Sequence, residues 1–494
     1  MSLKEYQLAK KAYKTLLADL PKKEMEKALE QVKLTKEISK KKPLQLTAKL
    51  KIFPTKEQEE ILWKLSENCR LIYNFALKER KAWWEKNKGL PRKKQDIENK
   101  PTSHKQCKQL PILKKLYPRY KQNYAKTLQG TLRQLEANYR SFFVLRKNGD
   151  NDAQPPKFKG KKYFTTMHFN QSGFKIKGTK ITLSHFYPTR ETKEIDLTFK
   201  MHGKRVFVEN KVKQVTIYQI HNTKEFYLSI IYEQDEPVYF DNNIYQAIDL
   251  GLINIIAAVN SHEGKTITIK NKRVENYWQS KIEEMMSKRD HCKKYSNRWY
   301  WYNDKLNKMI KKQSNQRKDF QHKTSKKIVE NTKANTIVIG DLNIKAMSES
   351  KKNDKKNDKS RHRNMQSSGS MGRFARFLTY KARKVGKKVI RISERRTSKR
   401  CCYCMKKENR KLSERTILCD CGLELDRDVS GTVNIMQRFL ALLALSQKRL
   451  VVRQQLLKEF REKFFATHSQ SSNESFSIYG VVRTRKKSEL TYLL

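Results

Sequence analysis

The chain has 494 residues, enough for several domains, and carries 109 Lys and Arg against 50 Asp and Glu, a formal charge of +59. A surface that basic repels itself unless a polyanion neutralises it, so nucleic acid is the first partner to expect, ahead of a purely structural ribosomal or chromatin role. An anionic membrane fits less well, because no apolar run approaches the ~20 residues of a spanning helix.

Residues 1–43 alternate Lys and Glu with scattered Leu and Ala, and read as one or two charged helices ending in the basic linker Lys40-Lys41-Lys42-Pro43. The start of the chain is polar, with no apolar signal region. Leu44 to Phe53 alternates like a strand. Thr55 followed three residues later by Gln58 is a capping box and predicts a helix, and Ile61, Leu62, Leu65, Leu71, Ile72 and Phe75 fit its period. Helical patterns continue to Leu145, and Asn148 to Asp152 with Pro155-Pro156 reads as a loop.

Between Phe164 and Tyr239 the period drops to two. Short strands are expected at Phe174–Ile176, Lys180–Leu183, Ile195–Phe199, Val206–Val208, Val215–Ile217 and Tyr227–Tyr232, a spacing that suggests a small β-barrel. Ala247 to Gly251 is a strand carrying Asp249, with Ile255 to Val259 as its hairpin partner. Residues 273–331 read as helical and very basic, and Thr336 to Asp341 as a buried strand. Residues 349–363 form a charged loop, Phe374 to Lys384 a helix and Lys388 to Glu394 a strand. The tail from Asn434 to Phe465 reads as one or two amphipathic helices, with disorder expected over 468–487.

Five of eight cysteines lie between 401 and 421, while Cys69, Cys107 and Cys292 are scattered. Such usage points to metal binding in a reducing compartment rather than to a disulfide framework. Cys401, Cys404, Cys419 and Cys421, with Gly422 after the last, supply the four thiolates of a structural zinc site; Cys402 is a spare that competes with Cys401. Taken alone, Asp249 reads as an ordinary strand-ending residue and Asp428 as a helix-capping one. Together, on an α/β domain that binds nucleic acid, they point to a two-metal nuclease, whose Mg²⁺ ions ~4 Å apart need carboxylates from several chain segments.

Several motifs carry a family resemblance. Ala247-Ile248-Asp249-Leu250-Gly251, the Thr397-Ser398-x-x-Cys-x-x-Cys knuckle, and Asp426-Arg427-Asp428 with Asn434-Ile435 resemble the RuvC-type nuclease of the TnpB family. Upstream, Ile52-Phe53-Pro54-Thr55-x-x-Gln58, Tyr73-Asn74, Pro156-Lys157-Phe158-Lys159 and the run from Gln316 to Lys323 are similar to further family motifs, so roughly residues 44–440 are covered. TnpB proteins are RNA-guided DNA endonucleases encoded by insertion sequences, related to type V CRISPR effectors and to Fanzor proteins. The resemblance implies a multidomain α+β chain with a helical recognition lobe, an oligonucleotide-binding wedge barrel and an RNase H-like (RuvC) α/β domain with an inserted zinc ribbon. In this sequence those parts fall at 1–43 (basic helical extension), 44–54 (first wedge strand), 55–150 (recognition domain), 151–240 (wedge barrel), 241–395 (RuvC-like domain), 396–425 (zinc ribbon), 426–445 (final RuvC helix) and 446–494 (tail).

One position departs from the pattern. Where the family has a Glu before Asp-Leu-Asn, this chain has Gly340, and Asp341 is no substitute because successive strand residues face opposite sides. Glu394, at the end of the strand before the knuckle, is the replacement expected, giving Asp249, Glu394 and Asp428 as Mg²⁺ ligands. Its bland role is a salt bridge to Arg395, Arg396 or Arg400, and the competing function is a nuclease-inactive RNA-guided DNA binder, a repressor or transposition accessory. Ser430 stands where the family often has Asn.

The expected partners are an omega-type guide RNA and target double-stranded DNA, with no membrane and with monomer or dimer left open. Localisation would be the cytoplasm or nucleoid of a prokaryote, or the nucleus of a eukaryote. Trp83-Trp84 and Arg298 to Tyr302 are candidate base-stacking residues, and 351–363 a candidate lid.

Overall fold

The computed structural model describes residues 3–33, 43–186, 196–201, 207, 211–220, 223–251, 253–341, 370–409, 414–446 and 450–469. Two helices open the chain, α1 (Leu3–Ala18) and α2 (Lys22–Lys33). Strand β1 (Leu44–Ile52) precedes α3 (Lys56–Asn87), α4 (Ser103–Leu116) and α5 (Ala125–Lys147). Six strands follow: β2 (Met167–Asn170), β3 (Phe174–Lys177), β4 (Lys180–Leu183), β5 (Leu197–Lys200), β6 (Val212–Ile220) and β7 (Glu225–Gln234). Then come β8 (Tyr245–Asp249), β9 (Asn254–Asn260), β10 (Thr266–Lys270), α6 (Val274–Asp290), α7 (Asn297–Asn331), β11 (Thr336–Asp341), α8 (Ser370–Lys384), β12 (Lys388–Ser393), β13 (Thr416–Leu418), β14 (Glu424–Asp426), α9 (Arg427–Ser446) and α10 (Leu450–Ser469). The expected 349–363 loop, and the tail beyond Ser469, lie outside the described residues.

The chain divides into two compact units. One comprises Pro43–Asp235 with Arg289–Lys308, the other Met1–Lys42, Glu236–Lys288 and Met309–Leu494. In the former, an antiparallel sheet in the order β1-β7-β6-β2 and a three-stranded sheet β3-β4-β5 share one core with α3 and α5. Among the described residues no ladder joins the sheets, so the expected barrel is seen as two sheets over that core. Most of the strand expected at Val206–Val208 lies outside the described residues, and the short β2 was not foreseen. The capping box forms: Thr55 Oγ1 accepts the Gln58 N–H at 3.2 Å and Gln58 Oε1 accepts that of Thr55 at 3.1 Å.

The other unit is built on a mixed sheet in the order β10-β9-β8-β11-β12. β8, β11 and β12 run parallel, with Ile248 paired to Ile339 and Gly340 to Ile392, while β9 and β10 are antiparallel. Ala247 and Ile248 of β8 and Ile337 to Ile339 of β11 are apolar and buried because both faces of the sheet are covered there. Ile248, Ile337 and Ile339 face α7 and α8; Ala247, Val338 and Ile390 face α9.

α9 corrects the reading of the tail as amphipathic, because every residue from Val429 to Ala444 is buried. The sheet lies on one side of it, and α1, α2 and α10 cover the rest through Ala12, Leu16, Val32, Leu457, Phe460 and Phe464. With 20 residues and a mean hydropathy of 1.2, α9 is also apolar enough to cross a membrane by composition, against the expectation that no run approaches that length; its burial makes it a core helix. The N-terminal segment, expected as a charged extension, is thus part of the nucleus of this unit.

Candidate active site

Three carboxylates converge at the C-terminal ends of the parallel strands. Asp249 follows Ile248, and Gly340 follows Ile339, its partner in the neighbouring strand, so the two positions lie side by side. Ile392 is opposite Gly340, and Glu394 lies two residues further, on the same face. The same alternation puts Asp341 on the α7 and α8 side, where it is exposed and lies 3.9 Å from Arg391 Nη1.

The Glu394 side chain turns into the space that Gly340 leaves open. A Cβ at Gly340 would lie 1.7 Å from Glu394 Oε1 and 2.2 Å from its Cγ and Cδ. Oε1 is buried there with no hydrogen-bond partner. Glu394 therefore occupies the place that a side chain at position 340 would enter, reached from the adjacent strand. The bland alternative for Glu394, a salt bridge to Arg395, Arg396 or Arg400, does not form; Arg396 and Arg400 pair with Asp19 instead.

α9 brings the third acid. Asp426, not Asp428, caps this helix, its Oδ1 accepting the N–H groups of Asp428 at 2.8 Å and Val429 at 3.2 Å. Asp428 is left to face the sheet, where its Oδ2 accepts Asn254 Nδ2 at 2.9 Å and pairs with the Arg415 guanidinium. Gly431, one turn on, allows the helix to approach, since a Cβ there would lie 2.9 Å from Asp249 Oδ2. Burial, then repulsion from Asp428, lifts the Asp249 carboxyl from its usual 3.8 to about 7. Burial, then repulsion from Asp249 and Asp341, pushes Glu394 well above its usual range.

Buried, mutually repelling carboxylates with an unpartnered oxygen are a donor set suited to hard divalent cations. Asn254 and Arg415 had no periodic signal in the sequence. Arg438, a lone cation inside the apolar run of α9, did, and it donates to the carbonyls of Ser393 at 2.6 Å and Arg395 at 2.9 Å on either side of Glu394.

The four expected cysteines come together, with all sulfurs within 4.8 Å of one another. Cys401 and Cys421 Sγ are 3.6 Å apart, as are those of Cys404 and Cys419. Tetrahedral zinc at a Zn–S length of ~2.3 Å needs sulfurs about 3.8 Å apart, so the set fits. Cys402 is not a ligand; it is buried in the core with Val429 and Val433. Among the described residues this is the one group of three or more ligand side chains drawn so close, and the carboxylates converge more loosely. The Asn434 amide donates to the carbonyls of Thr397 at 2.8 Å and Arg400 at 2.9 Å, binding the knuckle to α9.

In the other unit two motifs from distant sequence meet. Asn74 and the backbone of Lys159 exchange two hydrogen bonds of 2.9 Å, and Lys159 Nζ lies 4.2 Å from the Tyr73 ring centre. Burial pulls the Lys159 ammonium down to about 8. Trp84, Tyr300 and Trp301 are about half exposed, with Lys305 Nζ 3.4 Å over the Trp301 ring, and Tyr218 and Tyr227 stack at 5.9 Å beside Lys49.

Three family models match the chain: a helix-turn-helix domain of the OrfB type over residues 44–89, a probable transposase (OrfB of IS605) over 229–351, and a Cas12f1-like TNB domain over 372–435. Residues 44–89 here form a strand and one long helix rather than a helix-turn-helix. A protein of Escherichia coli (strain K12) named as a candidate RNA-guided DNA endonuclease, InsQ, is 25% identical over 421 residues, covering 80% of this chain and 92% of its own. One from Streptomyces pristinaespiralis, also named as a candidate RNA-guided DNA endonuclease, is 23% identical, covering 80% and 89%. The fold is similar to that of a Cas12f1–sgRNA–target DNA complex, with a TM-score of 0.52 and 12% identity over 80% of this chain and 99% of that one.

Two outcomes follow for the isolated protein. Metal analysis should find about one zinc per chain, and Cys404→Ser should reduce it to well below half. Asp249→Asn should raise the melting temperature in divalent-free buffer at pH 8. The folded state holds a proton on Asp249 that the unfolded chain loses near pH 4, so stability falls as pH rises from about 4 to about 7 and stays low above. Removing the charge should recover about 1–3 kcal/mol at pH 8, after allowance for partial solvent access, and almost nothing at pH 4. Calorimetry at both pH values checks this.

Proposed function

We propose, for a chain that resembles the TnpB family at its first strand, its central sheet and its cysteine knuckle, that it is an RNA-guided DNA endonuclease. Asp249, Glu394 and Asp428 would hold two Mg²⁺ ions, and the four cysteines a structural zinc. The observation that carries this reading is the Glu394 carboxylate filling the space over Gly340: a chain that had lost its catalytic acid without replacement would have no reason to bury an unpartnered carboxylate there. Names of the relatives and the fold of the Cas12f1 complex support the same class of activity.

When bound, the divalent ions would supply Lewis-acid activation of water and neutralise charge at the leaving oxygen. The chain's own residues prepare the place. Asp249 and Glu394 repel each other and resist ionising together, a penalty that positive charge between them relieves. Asn254 and Arg415 fix Asp428 Oδ2 on the far side. The Asn434 bridge holds the segment after Glu394 and the helix bearing Asp428 as one body. The basic, aromatic-bearing surface of the other unit suits a guide RNA and target DNA, through phosphate neutralisation and base stacking. On this reading 55–150 is the recognition domain, 151–240 the wedge, 241–395 with 426–445 the RuvC-like domain, and 396–425 the ribbon. Base pairing with an omega-type guide would read the sequence, and the protein the A-form backbone and a short flanking motif.

With its own guide RNA and Mg²⁺, the protein should cut matched DNA, and Asp249→Ala should abolish cutting while leaving target binding within about threefold. Tight binding without cutting by the wild type would instead identify a nuclease-inactive binder. Glu394→Gln should slow cutting by a hundredfold or more, about 3 kcal/mol of activation free energy; an unchanged rate rules out the relocated acid. Gly340→Ala should also impair cutting by displacing Glu394, and the double exchange Gly340→Glu with Glu394→Gly should recover part of it in the same assay.

A further inference from the structure

The segment before residue 44 lies upstream of every matched family model, and nothing in the proposed activity uses it. It nonetheless carries a buried acid into the connection between β12 and the cysteine knuckle. Asp19, just after α1, has a side chain only 2% exposed. Its Oδ2 accepts Arg400 Nε at 2.5 Å, and its Oδ1 accepts Arg400 Nη2 at 2.9 Å and Arg396 Nη1 at 3.1 Å. Arg438 Nη2 lies 4.0 Å from Oδ2. Burial raises the Asp19 carboxyl, but hydrogen bonds from Arg400 and Arg396 outweigh it and hold the group below its usual value.

Each of the three arginines does something for the residues around Glu394. Arg438, fully buried on α9, donates to the carbonyls of Ser393 and Arg395, so it grips the chain on both sides of Glu394. Arg396 sits at a φ of +63°, a left-handed conformation that turns the chain sharply after Glu394. Arg400 also donates to the carbonyl of Met405 inside the knuckle at 3.1 Å. On α2, Gln31 Oε1 accepts the Arg391 N–H at 3.1 Å, satisfying an outward donor of the edge strand that leads to Glu394.

Charge balance explains why an acid is needed at Asp19. A fully buried guanidinium without a counter-ion is costly. The acids acting on Arg438 are Asp19, Glu24 and Glu394. With Asp19 removed, Glu24 and Glu394 are the acids left to act on Arg438, and a salt bridge to Glu394 would draw it out of the Gly340 gap.

We propose that Asp19 is a positioning residue for the carboxylate site: brought in by the N-terminal helical hairpin, it engages Arg396, Arg400 and Arg438 and thereby keeps Glu394 turned into the gap over Gly340. The catalytic consequence rests on the nuclease reading above; the placement of the chain does not.

The test compares full-length wild type with Asp19→Asn, using Asp235→Asn, whose side chain is 90% exposed, as control. Three readouts are taken. One is Mn²⁺ binding to the protein alone, from the electron paramagnetic resonance signal of free Mn²⁺. The second is hydrogen exchange at Thr397 and Lys399, whose N–H groups bond the carbonyls of Glu394 and Arg396. The third is guide-dependent cutting across a Mn²⁺ titration.

Asp19→Asn should keep its zinc, weaken Mn²⁺ binding about tenfold, speed exchange at both amides and slow cutting by roughly ten- to a hundredfold. Wild-type Mn²⁺ binding and exchange in Asp19→Asn would overturn the proposal, even if the wild type cuts. Selective loss of protection in Asp19→Asn with no cutting by the wild type would uphold the positioning role and reject the nuclease reading. Should Asp19→Asn fail to fold, Arg396→Gln, which removes one partner of three, should still weaken Mn²⁺ binding about threefold with zinc intact; unchanged binding would overturn the proposal equally.

Discussion

The governing constraint on this molecule is electrostatic: like charges must be kept together at the ends of β8, β12 and α9. Asp249, Glu394 and Asp428 gain nothing from one another in the absence of a cation, and burial makes the first two worse. Something else must hold the three segments in place. The sheet supplies part of this through the parallel pairing of β8, β11 and β12, which lines up Asp249, Gly340 and Ile392. α9 supplies the rest, since packing along its whole length fixes where its first turn, and therefore Asp428, must lie.

Seen this way, the N- and C-terminal helices are there to complete the burial of α9. A 20-residue apolar helix with only a sheet against it would leave half its surface in water. α1 and α2 cover one flank and α10 another, and each adds a polar contact near the site. Arg461 of α10 donates to the carbonyls of Cys402 at 3.0 Å and Tyr403 at 2.7 Å, as Asp19 engages the arginines beyond Glu394. The hydrophobic contacts give stability, and the charged ones give register.

Much of this was legible in the sequence, and the failures have physical causes. Strands β8 and β11, the capping box at Thr55 and the four zinc cysteines were readable because each rests on local spacing. Glu394 was readable as the acid that ends the strand before the knuckle, and alternation excluded Asp341; the Gly340–Ile392 pairing in the structure then puts Glu394 on the face of Gly340. α9 was misread because Gln437 and Arg438 interrupt its apolar run and imitate a polar face, although both are buried and bonded to backbone carbonyls. The two N-terminal helices were read as helices but not as part of the core, because Lys and Glu dominate their composition, while Ala12, Leu16 and Leu20 form a stripe at intervals of four that was there to be seen. Asn254, Arg415 and Asp19 left no local signal, because their partners lie more than ten residues away and pairing of that kind has no period.

The position of the knuckle follows from the same mechanics. Its first cysteine, Cys401, comes seven residues after Glu394 and it ends just before Asp426, so it is the covalent link between two of the three acids. A flexible link of that length would let the ends drift, whereas four thiolates around one ion make it a rigid clip. The clip is then bolted to α9 from below, by Asn434 to the carbonyls of Thr397 and Arg400 and by Gln437 to that of Cys402. Cys402 faces the core with Val429 and Val433, while the other four cysteines of this stretch face one another. On the proposed reading, zinc held by these cysteines would bear on cutting by fixing the link between Glu394 and Asp428.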